Sequence, residues 1–383
     1  MMAASPLFVS AQIAWRYGAK LLASVDPVDA MKTLLLALLL PSLCLAQGVQ
    51  VYGVADAGVV FDKGCADGCP SGRLSPGISE GSHIGLRGSE PLGNSNTSAI
   101  FTLEAGVDND TGRSEDNRLF GRQAWVGLDT RWGALTLGRQ YNLQYQALAD
   151  VADPFHGGLA GTATNLMGFT TKRYDNSVKY STPGNRHWSA GAIYSFGESA
   201  FSTSRNRAYG ATLGYANGAF NIRIAHQKKR NPIEAVGTTQ PVDLSSRNTL
   251  VAANLNFGAA TLYAAYGINR GVGSSPWDPS NPYGALVLPT PSTYSHDMLA
   301  GISLRRGKAT YMVSVIRKDD RSLPNLDADQ AAIGMTYALS RRTALHASFA
   351  HIRSRNGAPY TVGTASEAGK GNRALTIGLR HAF

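Results

Sequence analysis

From Val49 to Phe383 the chain reads as sixteen short runs in which apolar side chains alternate with small or polar ones. A period of two is the mark of a strand with two unlike faces. In the last run Leu375, Ile377, Leu379, His381 and Phe383 share one face, and Thr376, Gly378, Arg380 and Ala382 share the other. Phe220, Ile222 and Ile224 likewise oppose Asn221, Arg223 and Ala225, and Leu262, Ala264 and Tyr266 oppose Thr261, Tyr263 and Ala265. The runs fall near 49–60, 82–92, 97–107, 119–130, 134–141, 173–182, 187–196, 207–216, 219–228, 247–257, 260–269, 294–305, 308–318, 328–338, 342–353 and 372–383. Connections after the even-numbered runs are tight and rich in Gly, Asn and Pro, as in Asn217-Gly218, Gly258-Ala259 and Arg306-Gly307. Such residues supply the backbone angles of hairpin turns. Connections after the odd-numbered runs are long and polar, as in 61–81, 142–172, 229–246, 270–293 and 354–371.

Alternation alone also fits a soluble sandwich, so the loops and the leader decide. No mature segment is long and apolar enough for a spanning helix, and a bilayer otherwise admits only closed barrels. Short turns at one end and long loops at the other are the pattern of transmembrane barrels, with the long loops outside the cell. The expected fold is all-β: a 16-stranded antiparallel transmembrane β-barrel over 47–383. Tyr180, Tyr194, Tyr209, Tyr215, Tyr266 and Phe383 lie near strand ends, where aromatic belts meet headgroups. Mean hydropathy is only -0.14, as expected when an apolar outer face and a polar inner face cancel.

The leader supports export. Met31-Lys32-Thr33, an apolar Leu34–Leu40 core and Cys44-Leu45-Ala46 form a secretory signal over 31–46. Residues 1–30 precede a complete signal with its own methionine, so translation is expected to start at Met31. Cys65 and Cys69 lie in a Gly-rich stretch, and a CxxxC pair in an exported chain reads as a small disulfide loop. No further ligands lie near them, so no metal site is expected. The chain carries 36 basic and 26 acidic residues; without the leader these become 33 and 24, a formal charge of +9. The arginines are spread along the strands and not gathered in one patch, which argues against nucleic-acid binding.

Seven segments then carry a resemblance over essentially the whole mature chain. They are Val51–Gly58, Ile84–Gly93, Phe101–Gly106, Phe120–Leu128, Leu135–Tyr141, Tyr174–Tyr180 and Gly378–Phe383. In this order and spacing the chain resembles the Gram-negative general porins of the β-proteobacterial type. The resemblance implies a homotrimer in the outer membrane, among lipid and lipopolysaccharide, that lets small hydrophilic solutes and anions diffuse passively and has no cofactor. It implies a third loop, here 142–172, folded into the barrel, with Asp150 and Asp153 as its acids at the constriction. The terminal Phe383, with Leu379 and Ile377, resembles the signal read by the barrel-assembly machinery.

Parity places Arg173, Asp175, Ser177 and Lys179 on one face, taken as the lumen, against Tyr174, Asn176, Val178 and Tyr180. The expected basic wall is Arg87, Arg122 and Arg173 with His83, a position where the family commonly has arginine. His83 therefore reads either as a pH-sensitive eyelet group or as a partner of a lumen carboxylate. Asp56 and Glu104 are expected as acidic lumen residues. Arg139 shares its parity with Leu135 and Leu137, an outward place tolerable for a charge at a subunit contact, so it is assigned to the trimer interface. Rings of basic residues favour anions, and facing acids create a transverse field. The alternatives are a substrate-specific channel, with Trp277 and Tyr283 of the sixth loop stacking on a sugar, or an outer-membrane enzyme. The eight histidines are scattered without a nucleophile–base spacing, so catalysis is not expected.

Overall fold

The structure is a computed structural model that describes residues 48–66, 68–93, 96–184, 187–197, 206–230, 245–275 and 292–383. The leader, its extension, Trp277 and Tyr283 lie outside the described residues. Sixteen long strands form the wall: β1 (Val49–Lys63), β2 (His83–Pro91), β3 (Thr97–Asp108), β4 (Gln123–Thr130), β5 (Gly133–Tyr141), β6 (Arg173–Ser181), β7 (Trp188–Ser195) and β8 (Ala208–Ala216), then β9 (Phe220–Arg230), β10 (Ser245–Asn256), β11 (Ala260–Arg270), β12 (Tyr294–Arg306), β13 (Ala309–Asp320), β14 (Ala328–Ala338), β15 (Thr343–Ser354) and β16 (Arg373–Ala382). Two further short strands, Arg73–Pro76 and Arg113–Ser114, belong to the first two long loops. The largest departure from the sequence reading is β4, expected from 119 but beginning at Gln123. Asp116 and Asn117 adopt positive φ there and turn the chain back across the rim first.

Each strand pairs antiparallel with its neighbours, and β1 pairs with β16 from Val54↔Ala382 to Lys63↔Arg373, which closes the barrel. At the other end of the seam, Gly53 and Phe383 exchange backbone hydrogen bonds of 3.2 and 3.0 Å. A Cβ on Gly53 would collide with the Phe383 ring, so the glycine makes room for the terminal aromatic. Outward positions are exposed and apolar, among them Val59, Leu137, Leu213, Ile224, Val313, Ile333 and Leu375. Cys65 and Cys69 form a disulfide in the first loop.

On one side of the barrel the inner face carries an apolar patch. Along β9 to β15 it carries Ala225, Leu250, Ala252, Leu299, Met312, Ile316, Ala332, Ala350 and Ile352, all buried. They are buried by the third loop, whose Ala147, Leu148, Val151, Phe155, Leu159, Leu166 and Met167 join them in one apolar cluster. The loop therefore lies inside the barrel against that wall. Each fully buried Leu or Phe contributes about 1.5–3 kcal/mol, enough for this apolar loop to favour the wall over water. Small residues allow the approach: a Cβ on Gly301 would stand 2.8 Å from Pro154 and one on Gly334 2.7 Å from Phe155.

Polar contacts fix the loop's register. Gly168 N–H donates to Asp297 Oδ2 (2.7 Å), and Lys318 Nζ reaches Asp297 Oδ1 at 2.8 Å in a fully buried ion pair. Gln330 Nε2 donates to Gly161 O (3.1 Å), and Ala160 N–H to Ser348 Oγ (2.9 Å). Removing one member of a buried pair leaves the other charge stranded, at about 3–5 kcal/mol. Asp297→Asn should lower unfolding stability in detergent by about that amount. Lys318→Met/Asp297→Leu should lose less, as urea titration followed by tryptophan fluorescence will show.

Candidate functional site

The wall opposite the apolar cluster supplies the charges. Arg122 is the last residue before β4; its N–H donates to Glu104 O (3.1 Å) and so continues the ladder. Its Nε donates to Glu104 Oε1 (2.6 Å), its Nη1 faces Glu115 at 3.4 Å, and its Nη2 donates to Tyr141 Oη (3.1 Å). Arg173 donates to the same hydroxyl (2.7 Å), lies 4.6 Å over the Tyr141 ring and stands 3.9 Å from Glu115. Burial alone would raise the Glu115 carboxyl, but Arg173, Arg122 and Lys172 outweigh it and hold it below the usual carboxylate range. Lys172 donates to Ala365 O (2.6 Å). Burial pushes its amine down to about 8, with Glu115 opposing the shift.

Two water-accessible cavities meet at this network. The larger, about 630 Å³, lies between the third loop and the wall and is lined by Arg122, Lys172, Arg173, Tyr141 and Tyr145 on one side and Asp150 and His156 on the other. The second, about 550 Å³, opens toward the short turns and includes Arg87, Tyr52, His83 and Glu104. Glu80, Arg122 and Tyr141 line both and stand at their junction. Arg87 is exposed in the second cavity, with Nε and Nη2 donating to Gln50 Oε1 at 3.0 and 2.8 Å. Glu80 is held by Arg380 at 2.6 Å.

Several expected roles change. Asp153 does not face the pore. It is fully buried and accepts N–H bonds from Phe155, Gly157 and Ala163, each at 2.9 Å, organising the loop's tip. Asp56 is also fully buried and accepts from the N–H groups of Ile78 (3.1 Å), Ser79 and Glu80 (3.0 Å each), with His346 Nε2 at 3.2 Å. It therefore pins the first loop beside the junction and offers no free charge to the lumen. Loop 1 in turn meets loop 3 where Leu159 N–H donates to Ile78 O (2.6 Å).

Asp175 leaves the expected lumen file. A bulge sets Asp175 and Asn176 opposite Arg139, between the pairs Gly138↔Ser177 and Gln140↔Tyr174, and Asn176 takes a φ of 50°. One extra residue reverses parity at Tyr174 and Asp175, while Arg173 at the start of the strand still lines the larger cavity. Tyr174, expected outward, is buried inside with its hydroxyl donating to Gln227 Oε1 (2.7 Å), while Asp175 pairs with Arg139 (2.5 Å) and Arg118 (3.0 Å). Lys179 keeps the inner face and donates to Tyr141 O (3.2 Å). Arg139 also donates to Gly121 O (2.5 Å) and faces Asp116 at 3.6 Å, so its own chain meets the charge that the sequence reading left to a neighbouring subunit. His83 is buried with its Nδ1 2.7 Å from Gly81 O and its ring edge-on to Tyr52; among the described residues it hydrogen-bonds no carboxylate, and it shares the second cavity with Glu104.

Sequence reading missed Lys172, Glu80, Glu115, Tyr141 and His156. All but Tyr141 lie in loops, where no periodicity assigns a face.

A closed barrel with a greasy exterior and a charged, loop-narrowed lumen defines a transmembrane channel. The family model for the Gram-negative porin matches residues 33–357, and the chain belongs to that family. It is 29% identical to an outer membrane porin protein of Bordetella pertussis, over 92% of this chain and 100% of that one. It is 25% identical to outer membrane porin protein 32 of Delftia acidovorans, over 88% and 94% respectively. Among solved structures it is similar to the anion-selective porin from Comamonas acidovorans, with a TM-score of 0.69, 23% identity, and 88% and 99% of the two chains covered. The protein is an outer-membrane channel for passive diffusion, not an enzyme.

The two loop aspartates should separate in function. Asp150→Asn should raise the anion-to-cation permeability ratio by up to about fourfold, because a unit charge about 10 Å from the ion path in water shifts anion and cation by about 0.4 kcal/mol each in opposite senses. Asp153→Asn should leave the ratio unchanged but raise open-channel current noise, since one amide would confront the N–H donors the carboxylate now satisfies. Planar-bilayer recordings of both variants decide.

Proposed function

We propose that the channel has a weak to moderate anion preference set at the junction of the two cavities. The observation that carries this is the balance of charge around the water. Arg122, Lys172 and Arg173 face Glu80 and Asp150 in the larger cavity, an excess of one positive charge. Arg87 and Arg122 meet Glu80 and Glu104 in the second, which is balanced. Most of these groups are tied into ion pairs, so the net field is modest and ions remain hydrated as they pass. Basic groups on the wall and Asp150 on the loop give that field a transverse direction.

The chain is further proposed to work as a homotrimer among outer-membrane lipid and lipopolysaccharide. Membership of the porin family supports this, as does the exposed Leu119 beside the Arg118–Asp175–Arg139 cluster at one rim. The cluster's position on the outer side of β5 keeps Arg139 as a candidate for the subunit contact, now as part of an internally neutralised group. Phe383, Leu379 and Ile377 lie exposed on the outer face of the closing strand, where the barrel-assembly machinery would read them.

Reversal potentials in a salt gradient test the preference. Wild type should favour anions, and Arg87→Gln, which removes an exposed charge held by Gln50 and the Tyr52 ring, should lower the ratio by up to about fourfold by the Coulomb estimate above. A clear cation preference of the wild type would overturn the proposal. The pH response has a definite sign. Lys172, with its amine pushed down to about 8, is charged below that pH and neutral above it, so anion preference should fall between about pH 7 and pH 9. Lys172→Met should start lower and show a smaller fall.

A further inference from the structure

Tyr141, the last residue of β5, stands directly across the sheet from Arg173, the first of β6. Its hydroxyl oxygen accepts from Arg173 Nη2 at 2.7 Å and from Arg122 Nη2 at 3.1 Å, so two guanidinium groups end on one neutral atom. The two are held unequally. Arg122 keeps Glu104 at 2.6 Å and Glu115 at 3.4 Å whatever becomes of the phenol. Arg173 stands 3.9 Å from Glu115, beyond hydrogen-bond reach, and its Nε is buried with no hydrogen-bond partner among the described residues. Among those residues the Tyr141 hydroxyl is therefore the one group that hydrogen-bonds the Arg173 guanidinium.

Like charges this close repel, and the repulsion is strong where burial lowers the local dielectric. The phenol oxygen offsets it by presenting an acceptor to both at once. Without that oxygen the ring would remain in place. Arg173 lies 4.6 Å over it, Tyr145 stacks on it with centroids 5.8 Å apart, and the Tyr141 carbonyl accepts from Lys179 at 3.2 Å. The more weakly held cation would then move away from Arg122. Arg173 already lines the larger cavity, so its route leads into the space that ions cross.

We propose that Tyr141 is a specificity-determining residue of the pore: its hydroxyl latches Arg173 against the wall and so withholds part of that charge from permeating anions. A neutral side chain then limits the anion preference, and losing a single oxygen should strengthen it. That sign separates a latch from a packing role, since loosened packing has no reason to favour anions. The proposal rests on the reading that the junction of the two cavities sets ion preference.

The test is the reversal potential of the purified full-length protein in planar bilayers under a potassium chloride gradient. Tyr141→Phe, which changes no charge, should raise the anion-to-cation permeability ratio about twofold, part of the shift a whole unit charge about 10 Å away would bring. Tyr141→Phe/Arg173→Gln should match Arg173→Gln alone, because no charge is left to release. The gain should shrink as salt rises from about 0.1 M to about 1 M, where the screening length falls from about 10 Å to about 3 Å. Tyr174→Phe, which removes a buried hydroxyl bond to Gln227 in the same strand as Arg173, should leave the ratio unchanged. The shift is read against wild type, so a cation-preferring wild type would sink the proposed preference and leave the latch to be judged by its own sign. An unchanged or lowered ratio in Tyr141→Phe would overturn the proposal. So would a gain that persists without Arg173 or at high salt, or an equal gain in Tyr174→Phe.

Discussion

Every backbone N–H and C=O that enters hydrocarbon must find its partner within the protein, and the seam between β1 and β16 is where that requirement is met or lost. An unpaired group in the bilayer core costs several kcal/mol, so an open sheet of this size would expose two intolerable edges. Ten consecutive cross-strand pairs, from Val54↔Ala382 to Lys63↔Arg373, remove both edges at once. The seam also explains two local choices. Gly53 lacks a side chain because the Phe383 ring occupies its place, and the terminal residue still exchanges two backbone bonds with it. Where β1 parts from β2 at its upper end, Arg73–Pro76 takes over the ladder against Ala57–Val60, so the first loop begins as part of the wall.

Closure creates a second problem, because a lumen this wide needs an internal structure to become selective. The third loop provides it by behaving as a small core built against one half of the wall. Its Leu, Val and Phe residues lie on inward alanines and glycines, while Asp297, Ser348 and Gln330 bind its backbone. Wall and loop thus divide the work. One half of the inner face holds the loop through an apolar patch and buried, paired polar groups, and the other half stays charged and wet. Asp153 and Asp56 belong to the first task, although both are carboxylates, because each satisfies three backbone N–H groups in a buried turn.

The strands, their number and most of their faces were legible because period-two patterning is a direct imprint of a wall with lipid on one side. Arg122 and Arg87 could be placed by that rule together with family resemblance. The β6 bulge could not, since one inserted residue changes parity and only the partner strand reveals which residue is extra. That single shift moved Asp175 out of the lumen and Tyr174 into it. Loop residues were illegible for a different reason: nothing periodic distinguishes a carboxylate that meets water, such as Asp150, from one that collects N–H groups three residues later. The apolar residues of 142–172 were a usable signal for an inward loop. Leu143, Leu148, Val151, Phe155, Leu159 and Leu166 are too many for a segment lying in water.

The same distinction between occupied and unoccupied charge governs function. Arg122 is held by Glu104, Glu115 and the Tyr141 hydroxyl, so its main effect is to build a rigid edge at the junction of the two cavities. Arg87 and Asp150 are exposed and lightly held, and their fields reach the water with less cancellation. Counting arginines in the lumen therefore overstates the attraction for anions, and a channel with many basic wall residues can still be only weakly selective. On the outer wall the logic runs the other way. Among the described residues no carboxylate pairs with Arg353 or Arg373, so their charge is available to whatever lies beside the barrel. Inside, pairing gives the pore its shape; outside, the lack of pairing leaves a charge for the membrane to answer.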